Sequence, residues 1–137
     1  MRIVSEEEFR AQLRTALESL MLNLLHKPAK EIPGCVVGPG RSGAIASVYA
    51  SHMLGLPFIP YGHMLPGSLG RVLIVDTAEE SGATMRKAGR NYAYADPILL
   101  TVFKEPPRVA FWYEAAKPQR YKHETRTTTR GKTIHFS

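Results

Sequence analysis

Apolar residues recur at helical spacing near the start of the chain. Phe9, Leu13, Leu17, Leu20 and Leu24 fall on one stripe, so residues 6 to 26 are expected to form an amphipathic helix. Ser5 stands just before it and Glu8 three residues on, the spacing of a capping box. Pro28 and Pro33 end the run. The pattern then changes period. Cys35-Val-Val-Gly38 and Val72-Leu-Ile-Val75 are short, continuously apolar segments, as expected for strands buried on both faces. Pro57 to Pro60, Pro97 to Phe103 and Val109 to Tyr113 read as further strands. Ala44 to Leu54 and Gly82 to about Tyr92 read as helices, with Gly55 as a C-terminal cap. The intervening 38–43 and 61–70 segments, rich in glycine and proline, read as loops, and the threonine-rich end as a hairpin or irregular structure.

Strands alternating with helices define an α/β domain with a mostly parallel sheet. In such sheets ligands bind beyond the carboxyl ends of the strands. Two loops, 38–43 and 77–84, each follow a strand and precede a helix, so both are expected at that edge. The second is the more informative. Asp76 stands where the strand ends, and Ser81-Gly82-Ala83-Thr84 opens a helix. Hydroxyls, a glycine and free N–H groups at a helix N-terminus can cradle a phosphate, while a neighbouring carboxylate can hold sugar hydroxyls. A plain strand-to-helix turn, with Ser81 as N-cap and Asp76 as a local acceptor, accounts for the same residues and stays open at this point.

Composition narrows the setting. The chain has 137 residues, 44% hydrophobic and 22% charged, enough for one domain with a real core. No apolar run approaches the roughly 20 residues of a membrane span, and the acidic start, Ser5-Glu-Glu-Glu8, is unlike a secretion signal. Cys35 is the sole cysteine, which excludes a disulfide framework or a cysteine-based metal site. These features point to the cytoplasm. The net charge of +6 is concentrated late: Lys117, Arg120, Lys122, Arg126, Arg130 and Lys132 face Glu124 alone. Such a tail suits solvent, a polyphosphate or, less favoured, RNA.

The run from Val72 to Thr84 resembles the signature of the type I phosphoribosyltransferases: apolar residues, acids, then a phosphate-binding end. Asp76 matches the first acid, and Ser81, Gly82 and Thr84 match the end; Thr77 replaces the second acid, and Glu79 stands where an apolar residue is usual. Val36-Val-Gly-Pro-Gly-Arg-Ser-Gly43 resembles the family's pyrophosphate loop. The pattern is most similar to the purine-type enzymes. The resemblance implies a phosphoribosyltransferase-type, Rossmann-like sheet flanked by helices. The single domain would span residues 1–137, with a core over about 30–105 and a hood over about 106–137, to which 1–30 contribute. The implied activity is transfer of ribose 5-phosphate from 5-phosphoribosyl-1-pyrophosphate (PRPP) to a nitrogenous base, favouring a purine, with release of pyrophosphate. Mg²⁺ is the implied cofactor, held mainly through PRPP, and the implied assembly is a homodimer. A PRPP- or nucleotide-sensing, or RNA-binding, regulator on the same fold is the alternative.

Site residues follow from the same resemblance. Asp76, Thr77, Glu80, Ser81, Gly82, Ala83 and Thr84 would bind PRPP, with Glu80 and Asp76 as the catalytic pair. Gly40, Arg41 and Ser42 would bind pyrophosphate. Tyr121 would stack on the base, with Arg108 and Arg120 near its exocyclic oxygen. Phe111 and Tyr113 are expected in the core. His63 is the one ionisable side chain in the short 61–70 loop that takes the place of the family's mobile lid, and a pyrophosphate contact or no role are both open for it. His26 and His52 are expected to be structural.

Overall fold

The computed structural model describes residues 2–79, 81–104, 109–115, 124–127 and 133–136. A short strand β1 (Ile3–Val4) leads into helix α1 (Glu6–Leu24). The Ser5 hydroxyl accepts the Glu8 N–H at 3.1 Å, and Glu8 turns its carboxylate to Arg2. Phe9, Leu13, Leu17 and Leu24 are buried, as their spacing requires. Strand β2 (Pro33–Val37), helix α2 (Gly40–Leu54), strand β3 (Arg71–Ala78), helix α3 (Ala83–Asn91) and strand β4 (Ile98–Phe103) follow. Beyond them lie strand β5 (Ala110–Phe111), helical turn α4 (Trp112–Ala115), and strands β6 (Glu124–Thr127) and β7 (Thr133–Phe136).

The central sheet runs β2-β3-β4, all parallel. Phe58 extends it on the far side of β2, where Val36 N–H bonds Pro57 O and Ile59 N–H bonds Val36 O, each at 2.9 Å. The expected 57–60 strand is thus a single bridge at Phe58 on one side of β2, and the chain then returns to build on the other. The reversal lies between β2 and β3, and ligand sites of open α/β sheets form at such a point.

Side-chain alternation assigns the faces. Val36, Leu73 and Val75 pack with Phe9, Leu13, Leu17, Ala46 and Ala50, so α1 and α2 cover one face. Cys35, Val37, Val72 and Ile74 pack with Met85, Ala88 and Tyr92, so α3 covers the other. β5 pairs in parallel with β1, and β6 with β7 antiparallel. Among the described residues no helix is long and apolar enough to cross a membrane.

Several expected boundaries move. β3 does not end at Asp76 but runs on through Thr77 and Ala78, where Ala78 still pairs with Phe103 on β4. The 38–43 segment is not a loop: α2 begins at Gly40, after Pro39, and Gly43 N–H already bonds Pro39 O at 3.0 Å. A strand through Tyr113 gives way to a two-residue strand and a helical turn, because the Glu114 carboxylate reaches back to the Phe111 N–H at 2.9 Å. That contact ends the extended run.

Candidate functional site

β3 carries Asp76 and Thr77 past the end of β2, whose last partner is Val37 opposite Ile74. Alternation turns these two neighbours to opposite faces. Asp76 goes to the α3 side and Thr77 to the α2 side.

On the α3 side, Asp76, Ala78, Glu79, Ser81, Gly82, Ala83, Thr84 and Met85 line an open cleft of about 320 Å³, inside the range of small-ligand sites. Asp76 is 8% exposed. Its Oδ1 accepts the Thr77 N–H at 2.8 Å, which fixes the carboxylate at the strand end. Thr101, opposite Asp76 on β4, sits 3.4 Å from Glu79 Oε2 through its Oγ1. Gly82 precedes α3 with φ at 78°, a left-handed conformation suited to glycine. The first intrahelical bond runs from Arg86 N–H to Gly82 O. The N–H groups of Ala83, Thr84 and Met85 therefore precede the helical bonding pattern. Ala83 N–H meets Ser81 Oγ at 3.3 Å, while Ser81, Ala83 and Thr84 are exposed. This is an open anion cradle with a carboxylate beside it.

Arg86 is a residue the sequence reading missed. Its Nη1 donates to Ser81 O at 3.1 Å, and the guanidinium lies against the Gly82 Cα. It brings a cation to the turn. One turn into a polar helix, an arginine reads as solvent-facing, so the pattern carries no signal for it.

On the α2 side, Gly40, Arg41 and Ser42 form the first turn of α2, at the carboxyl end of β2. Gly40 and Arg41 are exposed. Their amides, like those of α3, precede the first helical bond. Ser42 Oγ and Tyr113 Oη share a hydrogen bond of 2.7 Å. The Thr77 side chain faces the same phenol closely enough to act on its ionisation. Burial pushes the Tyr113 hydroxyl above its usual range, and the Ser42 and Thr77 hydroxyls act the other way. Phe111 is core, as expected, but Tyr113 is half-buried and its hydroxyl reaches the α2 turn.

The 61–70 loop does not roof this edge. Gly62 N–H bonds Tyr92 Oη at 2.8 Å, Leu65 N–H bonds Tyr94 Oη at 3.0 Å, and Asn91 Nδ2 donates to Tyr61 Oη at 2.8 Å. His63 lines a separate cavity with Tyr61, Asn91, Tyr92 and Tyr94. Asn91 stands about 12 Å along α3 from the Ser81–Thr84 turn. The loop places His63 at the C-terminal end of α3. His52 is exposed on α2, and His26 is exposed in the turn after α1. Glu80, Arg108, Arg120 and Tyr121 lie outside the described residues.

No protein-family model and no curated protein matches the sequence. Solved structures do match in fold. A xanthine-guanine-hypoxanthine phosphoribosyltransferase of Helicobacter pylori superposes with a TM-score of 0.65 at 15% identity, over 84% of this chain and 92% of its own. A purine phosphoribosyltransferase of Pyrococcus horikoshii gives 0.60 at 19% identity, over 89% and 99%. A hypothetical protein of Neisseria gonorrhoeae with bound ppGpp gives 0.65 at 12%, over 85% and 91%. The chain has the phosphoribosyltransferase-type α/β fold.

Proposed function

We propose that this protein binds PRPP at the β2–β3 edge and transfers its ribose 5-phosphate to a nitrogenous base, favouring a purine. One observation carries the reading. Two helix N-termini flank the point where strand order reverses, and one of them opens a cleft with a buried carboxylate at its wall. A sugar with a phosphate at each end needs two anion sites and an acceptor for its hydroxyls between them.

In this reading the 5′-phosphate sits on the amides of Ala83 and Thr84 and the hydroxyls of Ser81 and Thr84, with Arg86 adding charge. Asp76 accepts from the ribose hydroxyls. The base nitrogen forms its bond to C1 as the C1–pyrophosphate bond breaks. The amides of Gly40, Arg41 and Ser42, and the Arg41 side chain, meet the charge that collects on the departing pyrophosphate. Glu80 takes the proton the base gives up.

In this reading Mg²⁺ enters the site together with PRPP. Among the described residues no group of three or more His, Cys, Asp or Glu could hold a metal ion. Asp76 and Glu79 both line the cleft, and Mg²⁺ commonly takes one or two carboxylates with substrate phosphates and water. When bound, it would neutralise phosphate charge.

The test is direct. With PRPP, Mg²⁺ and a panel of purine and pyrimidine bases, pyrophosphate release is expected with at least one purine. PRPP with Mg²⁺ should also raise the melting temperature. Neither effect would sink both the enzyme and the binding site.

A second reading has its own support. Thr77 leaves the strand end one carboxylate short, and one fold neighbour holds ppGpp, a nucleotide with two anionic ends. A nucleotide sensor on this fold would show thermal stabilisation without pyrophosphate release. An RNA-binding regulator would show RNA affinity that falls steeply with added salt.

Gly82→Val tests the cradle itself. A Cβ at residue 82 would lie 2.9 Å from Arg86 Nη1, the movable end of a long side chain, so the damage comes mainly from backbone strain at positive φ. That strain costs about 1–3 kcal/mol, and the turn is expected to relax out of its phosphate-binding shape. Calorimetry should show ribose 5-phosphate affinity falling at least about tenfold, the loss of one charge-assisted bond or more. Unchanged affinity would remove the 5′-phosphate from this turn.

A further inference from the structure

Tyr113 belongs to no strand or turn that the proposed site uses, yet its hydroxyl ends inside that site. Aromatic packing holds it there. Its ring stacks on Phe111 at 5.7 Å with planes 12° apart, and meets Trp112 edge-on at 5.0 Å. Phe111 is fully buried against Phe9 and Phe103, and Trp112 packs on Phe9 and Tyr49. Residues from α1, α2, β4 and the C-terminal segment therefore fix the direction of one phenol. A surface tyrosine has no need of such support.

The phenol is aimed at a junction. Ser42 is the third residue of α2, in the turn whose early amides precede the helical bonding pattern, and it lies 2.7 Å from Tyr113 Oη. Thr77, whose side chain also acts on the phenol, is the residue beside Asp76 on β3. The Glu114 charge and, more weakly, the Asp76 charge also act on the phenol, each less than burial and the Ser42 and Thr77 hydroxyls. So one O–H group stands at the α2 turn, beside the strand that carries Asp76.

We propose that Tyr113 is a further ligand-binding residue of this site, whose hydroxyl donates a hydrogen bond to the diphosphate end of the bound sugar. This rests on the PRPP reading above. The Ser42 hydroxyl can donate as well as accept, so the phenol proton can turn to an incoming phosphate oxygen while Ser42 donates to Tyr113 Oη. Burial keeps the phenol protonated throughout the neutral range, so the donor is always present. No carboxylate stands at residue 77 to repel the diphosphate or compete for that proton. The substitution that thins the acid pair thus makes room for a neutral donor at the same spot.

The experiment uses Tyr113→Phe, which keeps the ring and its packing and removes one oxygen. Binding of PRPP, inorganic pyrophosphate and ribose 5-phosphate, each with Mg²⁺, is measured by calorimetry on both proteins, with melting curves of the unliganded forms. The expected result is a loss of about tenfold or more for PRPP and pyrophosphate, the scale of one hydrogen bond to a charged group. Ribose 5-phosphate affinity and the unliganded melting temperature should hold. Equal affinities of the two proteins for all three ligands would overturn the assignment. So would a matching loss for ribose 5-phosphate, which would make the phenol a brace for the whole site. If the unsubstituted protein bound none of the three, the PRPP reading itself would fall, and this inference with it.

Discussion

Gly38→Ala is expected to unfold this protein or to lower its melting temperature by about 10 °C or more. A methyl group at residue 38 would lie 1.9 Å from the Gly43 carbonyl oxygen and 2.7 Å from that of Val75. Both are backbone atoms, one in the first turn of α2 and one in β3, so neither can swing aside like a side-chain tip. Gly43 is equally confined, since a Cβ there would meet Gly38 C at 2.6 Å. The two glycines let the chain turn from strand to helix while β3 passes alongside. Overpacking a core costs about 1–3 kcal/mol where side chains can adjust, and a clash between main chains belongs at or above the top of that range. For a domain of this size, each kcal/mol shifts melting by several degrees. Gly40→Ala is the control. Nothing lies within 4 Å of its Cβ position, and only its φ of 67° resists alanine, so a loss of about 1–2 kcal/mol is expected. Thermal melts of the two variants separate a packing requirement from a conformational one. Equal small losses would mean that the close approach at Gly38 is not what shapes this turn.

The same glycines show where the sequence was legible and where it was not. The α1 stripe and the buried strands were readable because their period and continuity are set by what they bury, and Phe9, Leu13, Leu17 and Val72 to Val75 lie in the core. α2 starts earlier than the local pattern predicts, because glycine and proline are loop residues by local preference. Here Pro39 fixes the entry to the helix, and Gly40 takes a left-handed turn within it. The phosphate-type turn at Ser81–Thr84 was visible, since a strand, an acid and a small polar helix start are adjacent in the chain. Tyr113 was not. Its partner Ser42 is 71 residues away, and Phe111-Trp112-Tyr113 offers the apolar pattern of a strand. Thr77 reads only as a missing acid until alternation turns it away from Asp76 and toward Ser42 and Tyr113. Contacts across the sheet edge are tertiary facts, and no local period encodes them. Arg86 and the tying of the 61–70 loop to Tyr92 and Tyr94 belong to the same class.

Asp76→Asn is expected to lower kcat/KM for PRPP by about 100-fold or more while leaving the fold in place, the scale found when one preorganised electrostatic contact is removed. The fold should survive for a stated reason. Asp76 Oδ1 accepts the Thr77 N–H, and the amide oxygen of asparagine can accept that bond in nearly the same position. Residue 76 also sits among buried strand positions, where a shape-conserving change is best tolerated. What disappears is the charge. A carboxylate that is 8% exposed acts in a medium poorer in water than the surface, so its field at a neighbouring sugar is weakly screened. Hydrogen bonds from ribose hydroxyls to a charged acceptor are worth about 1.5–3 kcal/mol, and the positive character that grows on the ring as pyrophosphate leaves adds to the demand in the transition state. Part of the loss should therefore appear in kcat, not only in KM. Asp76→Ala is the contrasting variant. It leaves the Thr77 N–H without its partner at a buried position, and should cost about 1–3 kcal/mol of stability as well as activity. If the protein is a sensor, the readout becomes PRPP or nucleotide affinity, and Asp76→Asn should weaken it about tenfold or more by the loss of one charged bond. A melting temperature near that of the unsubstituted protein, with ligand affinity and turnover both unchanged, would show that the carboxylate only closes the strand end.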